Sequence, residues 1–314
     1  MPTAKLFAIL ALLNVLWAPT NFMVKVLQGT MSPSTIVCIR WILFSALLWT
    51  VLAIPQTRRL LKPILPRKAD RVKAVLIGFF CVALSYNLYS LAVAKTSTIE
   101  ANILSSTYPV VMGLFAFLFL NERVGPQRWA AIAVGLAGAY IVSVGFAVPS
   151  LSQKHTLGNL LFLCGLILEC GALTMATRIV LRSSGLGTLA FESLGAALGS
   201  VAYPLVLPGV PALGMESLPH AAFLHMFYLV AIGGVFAFGV WYVLVENAPV
   251  SLMMLSTLIQ PPIAAALGYL YLNETVTRNT VIGSAAIVAA LIISATEKGP
   301  LRRTARKSAS EARA

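Results

Sequence analysis

Long apolar runs separated by short polar connections dominate the chain. A bilayer core of about 30 Å is crossed by roughly 20 apolar residues in a helix, so runs of that length bounded by charge, Pro or Gly mark spans. Ten such runs occur, near residues 5–27, 33–54, 72–94, 99–120, 127–148, 157–181, 187–208, 221–245, 249–272 and 277–295. The pattern predicts an all-α integral membrane fold of ten transmembrane helices. Most connections are short, which makes successive helices antiparallel neighbours; the 55–71 loop and the tail from Glu297 are the exceptions. Lys5 and the apolar residues to Leu16 have the look of a secretory signal. The run continues through Trp17 to Val26 with no small-residue cleavage pattern, which favours a retained first span.

Charge fixes an orientation. Only 11% of the residues are charged and the formal net charge is +13. The basic residues fall between apolar runs rather than on a soluble face, so membrane orientation explains them better than nucleic acid does. With the N-terminus inside, 18 Lys and Arg lie in inner loops and tails, and 4 (Lys25, Lys95, Lys154 and Arg278) lie outside. That bias predicts an N-in, C-in topology. The basic loop Arg58 to Lys73 and the tail Arg302 to Arg313 also suit contact with anionic membrane lipids. The tail, residues 297–314, is expected to be disordered and cytoplasmic.

A shift of 152 residues lays Leu118 to Val124 on Leu270 to Val276, with five of the seven residues identical, and Pro109 on Pro261. Trp17 to Lys25 falls on Cys170 to Arg178 with one residue more of offset. The chain therefore reads as two five-helix repeats, 1–148 and 157–296. An odd number of spans inverts the second repeat, placing Glu122 on the cytoplasmic side and Glu274 on the outer side. Inverted repeats suit alternating access about a central site.

The first span with Trp17-Ala18-Pro19-Thr20-Asn21-Phe22, Arg40 in the second, and proline-centred fourth and ninth spans ending in Asn-Glu resemble the EamA-like members of the drug/metabolite transporter superfamily. The similarity extends to about Thr296. It implies a secondary carrier, in many members an exporter of amino acids or other small metabolites. The second copy departs from the first, with Cys170-Gly171 in place of Trp17-Ala18 and Glu169 added on an apolar helix.

A charge at mid-membrane costs at least about 2.5 to 3.5 kcal/mol, so such a residue faces a cavity or a partner. Glu169 is the clearest case, with proton coupling or a substrate amine set against a plain interhelical hydrogen bond. Arg40 and Glu192 align at the repeat offset with opposite charge. Placed roughly 10 Å apart along the membrane normal, they are expected to anchor separate ends of a cavity or a gate. Lys25 and Arg178 read as snorkelling span-end residues. Polar and aromatic residues on apolar helices give the substrate-binding candidates: Asn14, Trp17, Asn21, Tyr86, Asn87, Tyr89, Asn102, Ser105, Tyr108, Trp241, Ser256 and Gln260, with Ser106 and Thr257 beside them. Pro109 and Pro261 are helix breaks that free backbone carbonyls inside the bundle. Gly195-x-x-x-Gly199 and the row Ala131, Gly135 and Ala139 permit close helix approach without fixing an oligomeric state.

The four cysteines lie in apolar runs and read as small buried hydrophobes. No metal site, catalytic group or cofactor is indicated; His155, His220 and His225 lack partners for one. No Walker motif points to ATP. The leading reading is a secondary exporter of small polar metabolites such as amino acids across the cytoplasmic membrane, by proton antiport. Its partners are a small-molecule solute, protons and membrane lipids, with no nucleic acid. The alternatives are an importer or exchanger of a vitamin, nucleoside or organic cation, and a lipid-carrier translocase.

Overall fold

The computed structural model describes residues 3–61, 63–96, 101, 104–122, 124–146, 156–206, 214, 220–263, 266 and 277–296. Among them the protein is helical, without a β-strand. The helices are α1 (Thr3–Trp17), α2 (Thr20–Leu27), α3 (Pro33–Ala53), α4 (Pro55–Leu61), α5 (Lys68–Lys95) and α6 (Tyr108–Leu120). They continue with α7 (Pro126–Val144), α8 (Thr156–Val180), α9 (Gly185–Val206), α10 (Ala222–Val245), α11 (Val250–Ile263) and α12 (Arg278–Ala295).

Among the described residues six stretches are long and apolar enough to cross a membrane: Lys5–Leu27 and α3, α5, α8, α9 and α10. The remaining expected spans hold α6, α7, α11 and α12, of which α6, α11 and the apolar part of α12 are shorter. The first span is not one helix, because Pro19 has no N–H to continue the ladder and α2 restarts at Thr20. Its counterpart α8 has Ala172 at the aligned position and runs unbroken for 25 residues. The expected 55–71 loop contains α4, and α5 starts at Lys68, drawing Asp70, Arg71 and Lys73 into its first turns. Exposed Phe80, Leu118, Leu198 and Leu224 give the apolar outer surface that a bilayer covers. Cys38 and Cys170 are buried as expected, whereas Cys164 is exposed.

The residues fall into two compact units, each drawn from both halves of the sequence. The first comprises the described residues within 3–19, 95–159 and 248–296, and the second those within 20–94 and 160–247. In the first, α7 packs on α12 and α6 on α11. The α7–α12 crossing is backbone against backbone: a Cβ on Gly138 would stand 2.7 Å from the Gly283 carbonyl oxygen. Leu258, Ile287, Ala131 and Ile132 close the core around it.

In the second unit, α9 packs on α3, α5 and α10, and α10 also packs on α3. Gly78 lies on the Glu192 carbonyl and Gly195 on the Val75 carbonyl, so α5 and α9 touch through backbone that a methyl on either glycine would overlap. This is the use of the Gly195-x-x-x-Gly199 spacing, with Gly199 against Phe79. Two π-helical segments, Gly78–Ala83 in α5 and Tyr228–Phe236 in α10, widen these helices where they meet α9 and α3. The 152-residue shift carries the first segment onto 230–235, inside the second.

Candidate functional site

Polar side chains converge at the centre of the second unit. Arg40 and Trp41 are adjacent on α3 and buried, at 6% and 3% exposure. Both reach the ring of Tyr86 on α5. The Arg40 guanidinium lies 5.0 Å above its centroid, and the Trp41 ring meets it edge-on, also at 5.0 Å. Trp41 further contacts Phe44 and Phe238, while Tyr86 contacts Tyr89, which packs on Phe162 of α8. Tyr86 and Phe238 are equivalent under the repeat shift, so Trp41 sits where the corresponding residues of α5 and α10 meet.

The acidic residues lie on the same interior. Glu192 on α9 is 3% exposed and accepts a short hydrogen bond from the Tyr242 hydroxyl of α10. Glu169 on α8 interacts electrostatically with Tyr86, Glu192 and Tyr242. Among the described residues Arg40 forms no ion pair with either acid. Its guanidinium lies over the π-face of Tyr86. Two buried polar atoms here meet no hydrogen-bond partner: Trp41 Nε1 and Asn87 Oδ1. The amide of Asn87 donates to the Ala83 carbonyl at 2.8 Å, and Ser85 donates to the Val82 carbonyl. These side chains cover carbonyls at the end of the π-segment, where the backbone ladder changes step.

The first unit treats its polar groups differently. Asn14 of α1, fully buried, donates to Ser256 Oγ at 2.9 Å and to the Leu10 carbonyl at 2.7 Å, and accepts from Gln260 Nε2 at 2.9 Å. Ser256 in turn donates to the Met253 carbonyl. The helix tightens to a 3-10 turn over Ser256–Ile259, and Gln260 N–H returns to the Thr257 carbonyl ahead of Pro261-Pro262, which supply no donor. In the fourth span, residues 106–107 form a turn and α6 restarts at Tyr108, so Pro109 occupies a first turn where its missing N–H costs nothing. Ser105 donates to the Ala101 carbonyl.

The Asn-Glu end of α6 has a clear structural use. Asn121 takes the left-handed conformation, φ 54°, and both its N–H and that of Glu122 return to the Ala116 carbonyl. The chain turns, and the Glu122 carboxylate accepts from Val250 N at 3.1 Å, Ser251 N at 3.2 Å and Ser251 Oγ at 2.8 Å. It caps the N-terminus of α11, where backbone donors and the helix dipole favour negative charge. Arg128 also bonds Ser251 Oγ, at 2.8 Å.

Of the sequence candidates, the second unit gathers Arg40, Tyr86, Asn87, Tyr89, Glu169, Glu192 and a buried Trp241. The first unit holds Asn14, Trp17, Ser105, Tyr108, Pro109, Ser256, Gln260 and Pro261. Asn102, Asn273, Glu274 and the tail from 297 lie outside the described residues, as does the Asn21 side chain, although Asn21 itself is on α2. Sequence reasoning passed over Trp41 and Tyr242. The adjacency of Trp41 to Arg40, and the pairing of Tyr86 with Phe238 at the repeat offset, were the available signals.

Apolar membrane-crossing helices around a charged and aromatic interior define a multi-pass membrane transport protein. The chain belongs to the EamA-like transporter family, whose model matches residues 5–144 and again 156–296. It is 24% identical over 291 residues to the inner membrane transporter YedA of Escherichia coli, covering 92% of this chain and 90% of the relative. It is 26% identical over 196 residues, 62% of each chain, to a Streptantibioticus cattleyicolor protein named "Probable terminal-alkyne amino-acid exporter". A solved crystal structure shares its fold with a TM-score of 0.68 at 18% identity, covering 93% of this chain and 96% of the other. The protein is thus a transporter of the cytoplasmic membrane acting on small-molecule solutes.

Proposed function

We propose that the protein exports small polar metabolites, amino acids foremost, in exchange for protons, by alternating access of two inverted five-helix repeats with both termini inside. The observation that carries this reading is the interior of the second unit, where buried Arg40 and Glu192 stand among Trp41, Tyr86 and Tyr242, with half-buried Glu169 on α8 of the same unit. Charges so placed are expensive in a membrane protein unless they serve a solute or an ion. The helix geometry supports the repeat: the 152-residue shift carries Pro33–Ala53 onto 185–205, where α9 runs Gly185–Val206. It also carries Pro126–Val144 onto 278–296, where α12 runs Arg278–Ala295. Export is favoured by the name of the amino-acid relative.

In this reading Glu169 carries the proton, releasing it inside before solute loads and taking one up outside after solute leaves. Everted membrane vesicles given a labelled panel of amino acids, vitamins and organic cations, with and without an imposed pH gradient, test it. The expected result is gradient-driven accumulation of amino acids that Glu169→Gln uncouples. Accumulation indifferent to both the gradient and the substitution would contradict the proton-coupled exporter.

A further inference from the structure

We infer that the connection between α3 and α5, residues 54–68, is a binding surface for anionic phospholipid, with its exposed leucine and isoleucine side chains among the acyl chains and its arginines on the headgroup phosphates. The inference uses only the membrane placement of the helices on either side and asks nothing of the solute or the proton.

The backbone of this connection is tied down at two points. Ile64 N–H donates to Ser184 Oγ at 3.0 Å, and Ser184 Oγ donates back to the Ile64 carbonyl at 3.0 Å, at the start of α9. Gly187, whose N–H also reaches Ser184 Oγ, leaves the room: a Cβ there would stand 2.4 Å from the Ile64 carbonyl oxygen. Arg71 Nε donates to the Pro66 carbonyl at 2.7 Å, and its guanidinium lies 5.4 Å from the ring centroid of Phe191 on α9. The tied backbone leaves its apolar side chains outward. Leu60 is 81% and Ile64 63% exposed, and Ile54, Leu61 and Leu65 are exposed beside them. They lie between the two apolar stretches that cross the membrane, Pro33–Ala53 and Lys68–Lys95, and so at the edge of the bilayer. Side chains of this kind are taken up by the boundary between headgroups and acyl chains rather than by water.

Charge selects the lipid. Residues 55–73 carry seven Lys and Arg and one acid, Asp70, which pairs with Lys73 at 3.9 Å. Arg58, Arg59, Arg67 and Lys68 are exposed and make no ion pair among the described residues. Basic side chains interleaved with leucines match a surface that is apolar on one side and carries phosphate on the other. Residues 54–68 include no aromatic on which a base could stack, which sets this surface apart from a groove for single-stranded nucleic acid. The repeat supplies a comparison. The 152-residue shift carries Ser32 onto Ser184, and Ser32 accepts the Thr35 N–H as Ser184 accepts that of Gly187. At that end Gly214 is tied as Ile64 is, its N–H donating to Thr35 Oγ1 at 2.8 Å and its carbonyl accepting from the same hydroxyl at 3.1 Å. The second copy of the connection, 207–225, thus has the tie, yet its sequence holds no Lys or Arg and one acid, Glu216. The tie does not require the charge, which is left for a partner.

The test uses purified full-length protein in micelles of a neutral detergent and reads its unfolding temperature against the mole fraction of added lipid, dioleoyl phosphatidylglycerol or dioleoyl phosphatidylcholine. Equal chains leave headgroup charge as the difference. Phosphatidylglycerol should stabilise at a mole fraction at least about tenfold lower than phosphatidylcholine, a preference that shrinks at high salt. The double variant Arg58→Gln, Arg59→Gln should weaken the phosphatidylglycerol midpoint by about tenfold or more, since each charge near the surface contributes roughly fivefold, and should leave phosphatidylcholine unchanged. The double variant Leu60→Ser, Ile64→Ser should weaken both lipids. Arg278→Gln, at an exposed arginine that starts α12, is the control and should move neither. Glycerol 3-phosphate, a phosphate without acyl chains, should give no stabilisation. Equal midpoints for the two lipids, or a phosphatidylglycerol midpoint that the arginine pair leaves in place or that Arg278→Gln moves as far, would overturn the inference; basic residues that serve orientation alone give those results. Stabilisation by glycerol 3-phosphate as strong as by the lipid would overturn it in favour of a site for a soluble anion.

Discussion

Two polar clusters, one in each unit, handle buried polarity in opposite ways. In the first, Asn14, Ser256 and Gln260 spend their polar atoms on one another and on backbone, and Glu122 is closed by three hydrogen bonds at the start of α11. In the second, a guanidinium rests on a ring face and an indole N–H and an amide oxygen have no partner. A closed network stabilises a helix junction, whereas an open one is costly until something fills it. The contrast separates residues that close on one another from the residues proposed to meet a solute, although both kinds read as polar positions on apolar helices.

The largest effect should come from the scaffold of the open site. Gly78 and Gly195 press α5 and α9 together through their backbones, and no side chain can be fitted there without moving a helix. Gly195→Leu should cost on the order of 4 kcal/mol or more and remove the single symmetric peak in detergent size-exclusion chromatography. Gly239→Ala is the control: the added methyl would meet only Leu186, at an ordinary 3.5 Å, and should leave the peak intact.

Next in size is the closed network around Glu122. Glu122→Ala removes the cap from α11 and leaves Arg128 facing Ser251 without the carboxylate. A loss of about 2 kcal/mol is expected, seen as a lower unfolding temperature. Asn14→Leu strands Ser256 and Gln260 and should cost about 1 to 3 kcal/mol in the same assay. The smallest stability effect belongs to Trp41→Phe, because the N–H it deletes has no partner to lose. Its unfolding temperature without solute should match the wild type or exceed it. A large loss there would erase the distinction between the units.

Much of this was legible in the chain. The helical membrane fold followed from apolar runs and sparse charge, and the Gly195-x-x-x-Gly199 spacing marked the α9 side of its crossing with α5, whereas Gly78, Gly138 and Gly283, which complete the tight crossings, stood outside the rows. The repeat offset of 152 residues also aligns the two π-segments and the breaks ahead of Pro109 and Pro261. What the residues did not reveal was partnership. Asn14 and Asn87 look alike in sequence, yet one finds Ser256 and Gln260 while the other keeps an empty acceptor, because long-range packing decides which helix faces which. Trp41 was hidden for a related reason: an aromatic on an apolar helix carries no periodic signal until its N–H is seen to lack an acceptor. The break at Pro19 was visible as a proline, but its effect on the first span depended on a restart at Thr20 that α8, with Ala172, does not need.

The most direct test of the account compares the shift in unfolding temperature produced by the amino acid that the vesicle panel selects, in wild type, Trp41→Phe, Glu169→Gln and Glu122→Gln. The account predicts that the two second-unit variants lose most of the solute-induced shift, while Glu122→Gln starts from a lower baseline and keeps the shift in full. A shift abolished by Glu122→Gln and untouched in Trp41→Phe and Glu169→Gln would place the solute elsewhere and contradict it.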